Sequence, residues 1–165
     1  MRLPLVLGCA ALLAACTQAP IRPVVSPDAV IRFDLEGRLS VRQGDVVHHV
    51  SITWRHNAEQ DEILLSGPLG QGLAELRRDA AGARLLTSDR RSIVATDWES
   101  LAERAFGVRL PLSNMPRWVV GGAPAAGADG WQIDYLDVEA GRPVLMEMRR
   151  GDIEVRLKVD AWNKP

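Results

Sequence analysis

The chain has 165 residues, of which 47% are hydrophobic and 25% are charged, and this balance fits one ordinary globular domain rather than a disordered chain or two large domains. Lys and Arg number 20 against 21 Asp and Glu, so the formal net charge of −1 excludes the clear basic excess that a nucleic-acid partner requires. The sequence has only two cysteines, both near its start, and five of its few aromatic residues are Trp.

Residues 1–15 have the layout of a bacterial export signal. Arg2 supplies a positive charge, Leu3 begins an uncharged apolar stretch, and Cys16 follows it. The stretch is too short for a membrane-spanning helix, which needs about 20 apolar residues. Its end, Leu-Ala-Ala-Cys at 13–16, resembles the bacterial lipobox, in which the cysteine takes a diacylglycerol and the signal is cut before it. We therefore predict a signal at 1–15 and lipid modification of Cys16; an ordinary secreted protein is the alternative.

The segment at 16–28 is predicted to be the lipidated cysteine and an extended tether. Pro20, Pro23 and Pro27 lie there among small and polar residues. Thr17 follows the cysteine, where Asp would resemble an inner-membrane retention signal, so export to the outer membrane is expected. Because both cysteines belong to export and anchoring, no disulfide is expected, although an oxidising periplasm would permit one.

Residues 29–165 form the predicted domain, and their hydrophobic pattern has the period of two that is typical of β-strands. In the last segment, apolar residues at 153–161 alternate with charged ones, which indicates an antiparallel sheet with one wet face. The same alternation runs through 46–54. Further strands are predicted at 31–42, 62–66, 73–78, 83–87, 92–95, 131–138 and 144–149. Turn-forming residues separate most of them, which favours one curved sheet over βαβ units.

Two short amphipathic helices are predicted in the middle of the domain. Thr96 and Glu99 match a capping box, with Thr96 at the N-cap. Apolar residues then recur at helical spacing from 98 to 106, and Gly107 supplies the stop. The second helix begins near Pro116 and runs to the glycines at 121–122. Both helices carry a Trp, and we predict that they cover the apolar face of the sheet.

The sequence offers little catalytic chemistry. It has no nucleophile elbow, no Walker-type loop and no zinc-protease motif. His48 and His49 are neighbours on a predicted strand, so they point to opposite faces and cannot easily bind one metal. We therefore predict that the protein is not an enzyme and has no catalytic residue, no metal and no cofactor.

An apolar residue stands in a turn where polar residues are usual. Leu69 is the only large side chain in the segment 67–72, between two predicted strands. Such a tip favours contact with a membrane or a partner. The alternative is that Leu69 folds back onto the edge of the sheet.

Several blocks, taken in order, resemble the LolB family of outer-membrane lipoprotein receptors. After the lipobox they are residues 33–41, 52–54, 67–70, 110–112, 117–121, 130–131 and 156–162. The resemblance covers essentially the whole mature chain. It implies a mainly β fold, in which one curved antiparallel sheet forms an incomplete, half-open β-barrel with a helical lid over an apolar cavity.

The resemblance also implies a function. The protein would be a monomer, lipid-anchored in the outer membrane through Cys16 and facing the periplasm. It would accept lipoproteins from the periplasmic carrier LolA by binding their acyl chains, and insert them into the outer membrane. The loop around Leu69, with Pro68 and Gly70, would contact the membrane. An outer-membrane scaffold that binds other proteins and a periplasmic carrier of another amphiphile are the alternatives.

The residues that line the cavity are a hypothesis from the hydrophobic pattern alone. They are apolar residues on the strands and helices, namely Val50, Ile52, Trp54, Trp98, Leu101, Met115, Trp118, Trp131, Ile133 and Tyr135. Ordinary core packing is the alternative for each of them.

Overall fold

A computed structural model describes Pro23, Val25, Ser26, Ala29 and residues 31–107, 109–124 and 126–163. The predicted signal and the predicted lipidation site at Cys16 lie outside these residues. Within them the chain forms two helices and nine strands, and neither helix is long and apolar enough to cross a membrane.

The strands and helices follow one another in two groups, with the helices between strands six and seven. The strands are β1 (Phe33–Gln43), β2 (Val46–His56), β3 (Asp61–Ser66), β4 (Gly72–Asp79), β5 (Gly82–Thr87), β6 (Ser92–Ala95), β7 (Gln132–Glu139), β8 (Arg142–Arg150) and β9 (Ile153–Asn163). The helices are α1 (Trp98–Phe106) and α2 (Met115–Val119). Every predicted strand is confirmed, with small shifts at the ends.

All nine strands belong to one antiparallel sheet. Its order is β6-β5-β4-β3-β2-β1-β9-β8-β7, so strands that are adjacent in the sheet are also consecutive in the chain, except β1 and β9. The outermost strands, β6 and β7, do not pair with each other in the described part of the chain. The sheet is therefore not closed into a barrel, and the predicted incomplete barrel with two short helices is confirmed.

The two faces of the sheet differ in polarity. The inner face is the one that carries the buried residues, such as Leu35, Trp54 and Leu157, and the opposite face is the outer face. On β9 the alternation is nearly complete, because Leu157 is buried between exposed Arg156 and Lys158. Period-two patterning thus determines which side of each strand turns inward.

The central pairing of β1 with β9 depends on a glycine. The register shifts by one residue between Glu36 and Gly37, as in a β-bulge. A Cβ atom added at Gly37 would overlap the carbonyl oxygen of Lys158. Glycine is therefore required there for the close approach of two backbones.

Helix α1 begins one residue later than the capping box predicts. Asp97, not Thr96, is the N-cap, and its carboxylate accepts hydrogen bonds from the backbone N–H of Ser100 (2.8 Å) and from the hydroxyl of Thr96 (3.0 Å). Aspartate is as good an N-cap as threonine, and here its extended backbone occupies that position. At the other end Gly107 adopts a left-handed conformation (φ 70°) and ends the helix, as predicted.

Candidate functional site

An apolar cavity of about 440 Å³ lies between the inner face of the sheet and the helical segment. This volume falls within the range of about 300–1,000 Å³ that is typical of ligand pockets. Strands β1–β4, β8 and β9 form its floor, and α1, α2 and the segment between them contribute to the opposite wall. Among the described residues that line it, only Gln43 and His48 are polar apart from the tryptophan N–H groups. Such a lining suits a hydrocarbon chain and disfavours a charged ligand.

Seven of the ten residues predicted from the sequence line this cavity. They are Val50, Ile52, Trp54, Trp98, Met115, Trp118 and Trp131. The first three lie on β2, where alternate residues turn inward, and the tryptophans at 98 and 118 come from the two helices. The predicted set therefore includes residues from both the floor and the helical wall of this space.

The other three predicted residues lie outside the cavity lining. Leu101 is fully buried in the packing of α1, and Ile133 is buried on β7. The hydroxyl of Tyr135 donates to the carbonyl of Trp118 (2.7 Å) and accepts from the backbone N–H of Ala123 (3.0 Å). Tyr135 therefore holds the end of α2 in place, while Leu101 and Ile133 belong to the packed core.

Sequence reasoning missed a larger group of lining residues. They are Leu39, Val41, Ile63, Leu65, Leu76, Phe106, Leu110, Pro111, Leu112, Met148, Ile153, Val155 and Leu157, together with Gln43 and His48. For those on β1 and β9, the period-two alternation was an adequate signal. The segment 110–112 has no periodicity, so only its position between the two helices could have indicated it.

Trp54, in the floor of the cavity, is held by a buried carboxylate. Asp61 is 1% exposed and accepts hydrogen bonds from Trp54 Nε1 (2.9 Å), His56 Nδ1 (2.7 Å) and Arg78 Nε (2.7 Å). Burial by itself raises the pKa of Asp61, but these hydrogen bonds outweigh it and hold the pKa below its usual value. The ionised carboxylate therefore fixes the orientation of the indole.

Two other indoles of the lining have no such support. The Nε1 atoms of Trp98 and Trp131 are buried and have no hydrogen-bond partner among the described residues. A buried donor without a partner costs about 1–3 kcal/mol. These rings therefore contribute apolar surface at an energetic cost that a Phe would not carry.

The described part of the predicted tether lies against α2. The guanidinium of Arg117 donates to the carbonyl oxygen of Ser26 (2.9 Å). A Cβ atom added at Gly121, just after the helix, would overlap the ring of Pro23. Pro23 and Ser26, which precede the domain, therefore lie beside α2, one wall of the cavity.

The loop between β3 and β4 holds its leucine outward. Backbone hydrogen bonds from Gly67 to Gln71 (2.8 Å) and from Gly70 to Gly67 (2.9 Å) close the turn. Leu69 is 93% exposed at its tip, flanked by exposed Pro68 and Gly70. In this structure the side chain does not fold back onto the sheet.

The histidines do not meet in one site. His48 lines the cavity, whereas His49 lies on the outer face. Within the described ranges no three His, Cys, Asp or Glu side chains are grouped so that they could hold a metal ion.

Comparison with known proteins gives a consistent family. Residues 31–162 match the family model described as outer membrane lipoprotein LolB. The outer-membrane lipoprotein LolB of Dechloromonas aromatica (strain RCB) is 33% identical over 93% of each chain. That of Azoarcus sp. (strain BH72) is 34% identical over 92% of this chain and 90% of its own. That of Nitrosomonas europaea is 36% identical over 79% of this chain and 72% of its own.

Proposed function

Because this chain belongs to the LolB family of outer-membrane lipoproteins, we propose that it accepts lipoproteins from the periplasmic carrier LolA and inserts them into the outer membrane. The family consists of outer-membrane lipoproteins rather than enzymes, in agreement with the sequence-based prediction. The observation that carries the proposal is the apolar cavity of about 440 Å³ under the two helices, which suits an acyl chain.

The energetics of lipid exposure explain why such a cavity is needed. Each buried CH₂ group contributes about 0.8 kcal/mol, and a triacylated cysteine carries roughly 45 of them, so exposing its chains to water costs on the order of 30–40 kcal/mol. A lipoprotein therefore needs a dry binding site at every step between two membranes. In this proposal the acyl chains pass from carrier to receptor to bilayer, and each successive site binds them more tightly than the one before.

The anchor and the loop have separate roles in the proposal. Acylated Cys16 holds the protein on the periplasmic side of the outer membrane, where it acts as a monomer. Exposed Leu69 contacts the bilayer during the last step, when the cargo leaves the cavity. Its apolar tip gains free energy by leaving water for the lipid interface.

Reconstitution tests the function directly. Purified protein, LolA loaded with a lipoprotein, and liposomes are mixed, and the cargo that reaches the liposomes is measured. We expect delivery that depends on this protein. If cargo stays on LolA at every protein concentration, the proposed function is wrong.

Ligand binding tests the cavity by itself. The mature chain carrying Cys16→Ala should bind a fluorescent fatty acid saturably, because the cavity is apolar and the acyl chains proposed for Cys16 are absent. A protein-binding scaffold would show no saturable binding. A carrier of another amphiphile would bind the fatty acid but accept nothing from LolA.

A further inference from the structure

A second cleft, of about 430 Å³, lies on the outer face of the sheet beside the Leu69 loop. Pro68, from that loop, forms one side of it, and strands β1, β2 and β9 form the rest. Its lining is rich in basic groups and, among the described residues, contains no Asp or Glu. This composition is unlike that of the apolar cavity on the inner face.

The polar groups of the cleft come together because of the strand register. They occupy two neighbouring rows of cross-strand partners, Lys158–Arg38–Ser51 and Arg156–Ser40–His49. Partners in a row have their Cα atoms about 4.5–5.5 Å apart, and the next row on the same face follows two residues further, at roughly 7 Å. Three cations, one histidine and two hydroxyls therefore converge on one area of the outer face.

The positive charge of this area is only partly neutralised. Arg156 is already paired, because its guanidinium donates to the buried carboxylate of Glu147 (2.5 and 3.1 Å). Arg38 pairs with Asp160 (2.7 and 3.0 Å), but both of these side chains are exposed, so water screens the pair. Lys158 is the direct cross-strand partner of Arg38, and in the described part of the chain it has no ion pair within 4 Å. Asp160 offsets part of the repulsion between these two like charges, because it faces both Arg38 and Lys158. Among the described residues of the cleft, Lys158 is therefore the cation left without an ion pair of its own.

We propose that this cleft binds the phosphate of an anionic membrane phospholipid while Leu69 enters the bilayer. The inference rests on the proposed function and deepens its last step. The loop places a 93% exposed leucine next to Pro68, at the rim of the cleft. A bilayer has a matching arrangement, because its phosphates lie immediately outside its hydrocarbon, just as the basic cleft lies beside the apolar loop tip. Arginine and lysine N–H groups and serine hydroxyls are suitable donors to phosphate oxygens.

Vesicle binding by the protein alone tests the site. The mature chain carrying Cys16→Ala keeps every described residue and lacks the anchor. Its binding to phosphatidylcholine vesicles is compared with its binding to vesicles that also contain phosphatidylglycerol. Lys158→Gln and Arg38→Gln should each weaken the phosphatidylglycerol-dependent binding about fivefold, the factor that corresponds to one basic residue at a membrane surface.

Arg84→Gln is the matched control. Arg84 is exposed on the outer face of β5, three strands away from β2, and does not line the cleft. The Arg84→Gln protein should bind vesicles as the parent protein does, and all three variants should bind a fluorescent fatty acid normally. If Arg84→Gln weakens binding as much as Lys158→Gln does, or if none of the variants changes it, the headgroup site is wrong.

Two further results are informative. The first distinguishes a soluble anion from a lipid headgroup, and the second distinguishes failure of the headgroup site from failure of the proposed function. If inorganic phosphate binds the parent protein as tightly as the vesicles do, the ligand is a soluble anion and the membrane assignment is overturned. If the parent protein delivers lipoprotein in the reconstituted system while Lys158→Gln binds vesicles normally, only the headgroup site fails. The proposed function would stand in that case.

Discussion

Asp61 lies at the first position of β3, where the chain turns back from β2. No role was predicted for this residue, which directly precedes the strand predicted at 62–66. The structure places it opposite His56, within reach of donors from β2 and β4. Such a convergence depends on the pairing of three strands, which no local pattern reveals.

Replacement of Asp61 should destabilise the fold. Asp61→Asn removes the charge that Arg78 and His56 contact and directs amide hydrogens at buried donors, so we expect a loss of about 3 kcal/mol in the free energy of unfolding. Denaturant unfolding at neutral pH measures it. Glu62→Gln, the half-exposed neighbour on β3, is the control and should change stability little. Equal effects of both substitutions would contradict the role of Asp61.

The same carboxylate predicts a dependence on pH. Hydrogen bonds hold the pKa of Asp61 in the folded protein below its value of about 3.9 in an unfolded chain. Its stabilising contribution is therefore fully present above roughly pH 4 and is lost as the pH falls through the folded pKa. The stability difference between the parent protein and Asp61→Asn should shrink in acid, and urea unfolding at several pH values would detect this. A difference that stays constant down to pH 2.5 would contradict it.

The strands were the elements that the sequence predicted best. Alternation and turn residues located all nine, because a sheet with one wet face shows its period directly in the chain. Cavity residues were harder to predict. Leu101 and Ile133 have the same apolar character as the lining residues, and only packing decides whether a side chain faces empty space or its neighbours. The helix cap shows the same limit, since Thr96 and Asp97 are both suitable caps.

The loop between β3 and β4 is the element for which the proposed function makes the sharpest prediction. Leu69→Glu should leave acceptance of lipoprotein from LolA intact, since Leu69 is 93% exposed and does not line the cavity. Delivery to liposomes should fall severalfold, because a carboxylate opposes entry into the bilayer. The amounts of cargo on LolA, on this protein and in liposomes are measured separately.

Leu64→Glu is a useful comparison for that loop. Leu64 is also an exposed leucine, at 45%, but it lies within β3 rather than at the tip of the loop. Its variant should deliver cargo nearly as well as the parent protein does. Normal delivery by Leu69→Glu would show that the loop has no part in insertion.

At the scale of the whole molecule, the decisive feature is that the two terminal strands, β1 and β9, pair at the interior of the sheet. Periodicity cannot predict this pairing, because it brings together residues more than 100 positions apart. The resemblance to a family implied the half-open barrel, whereas the residues alone indicated only a curved sheet. The open edge between β6 and β7 leaves the inner face accessible for the helices and the cavity.

The distribution of tryptophans makes ligand binding observable. Trp54, Trp98, Trp118 and Trp131 line the cavity, but Trp162 lies outside it, with its Nε1 donating to the carbonyl of Pro143 (3.1 Å). Binding of a fatty acid should therefore change the tryptophan emission. Trp118→Phe should reduce that change, whereas Trp162→Phe should preserve it. If the Trp162→Phe protein alone loses the response, the ligand occupies another site.

With the proposed anchor at Cys16, the contact between Arg117 and Ser26 would limit how far the cavity can lie from the membrane. Roughly ten residues separate Ser26 from the proposed anchor at Cys16, and fully extended they reach at most about 35 Å. That length is close to the roughly 30 Å hydrocarbon thickness of a bilayer. While the contact persists, a lipid anchor at Cys16 would keep Ser26 within about 35 Å of the lipid surface, with α2 directly beside it, whichever way the domain rotates. Under the proposed function, a loaded carrier would therefore have to come to the membrane itself to hand over its cargo.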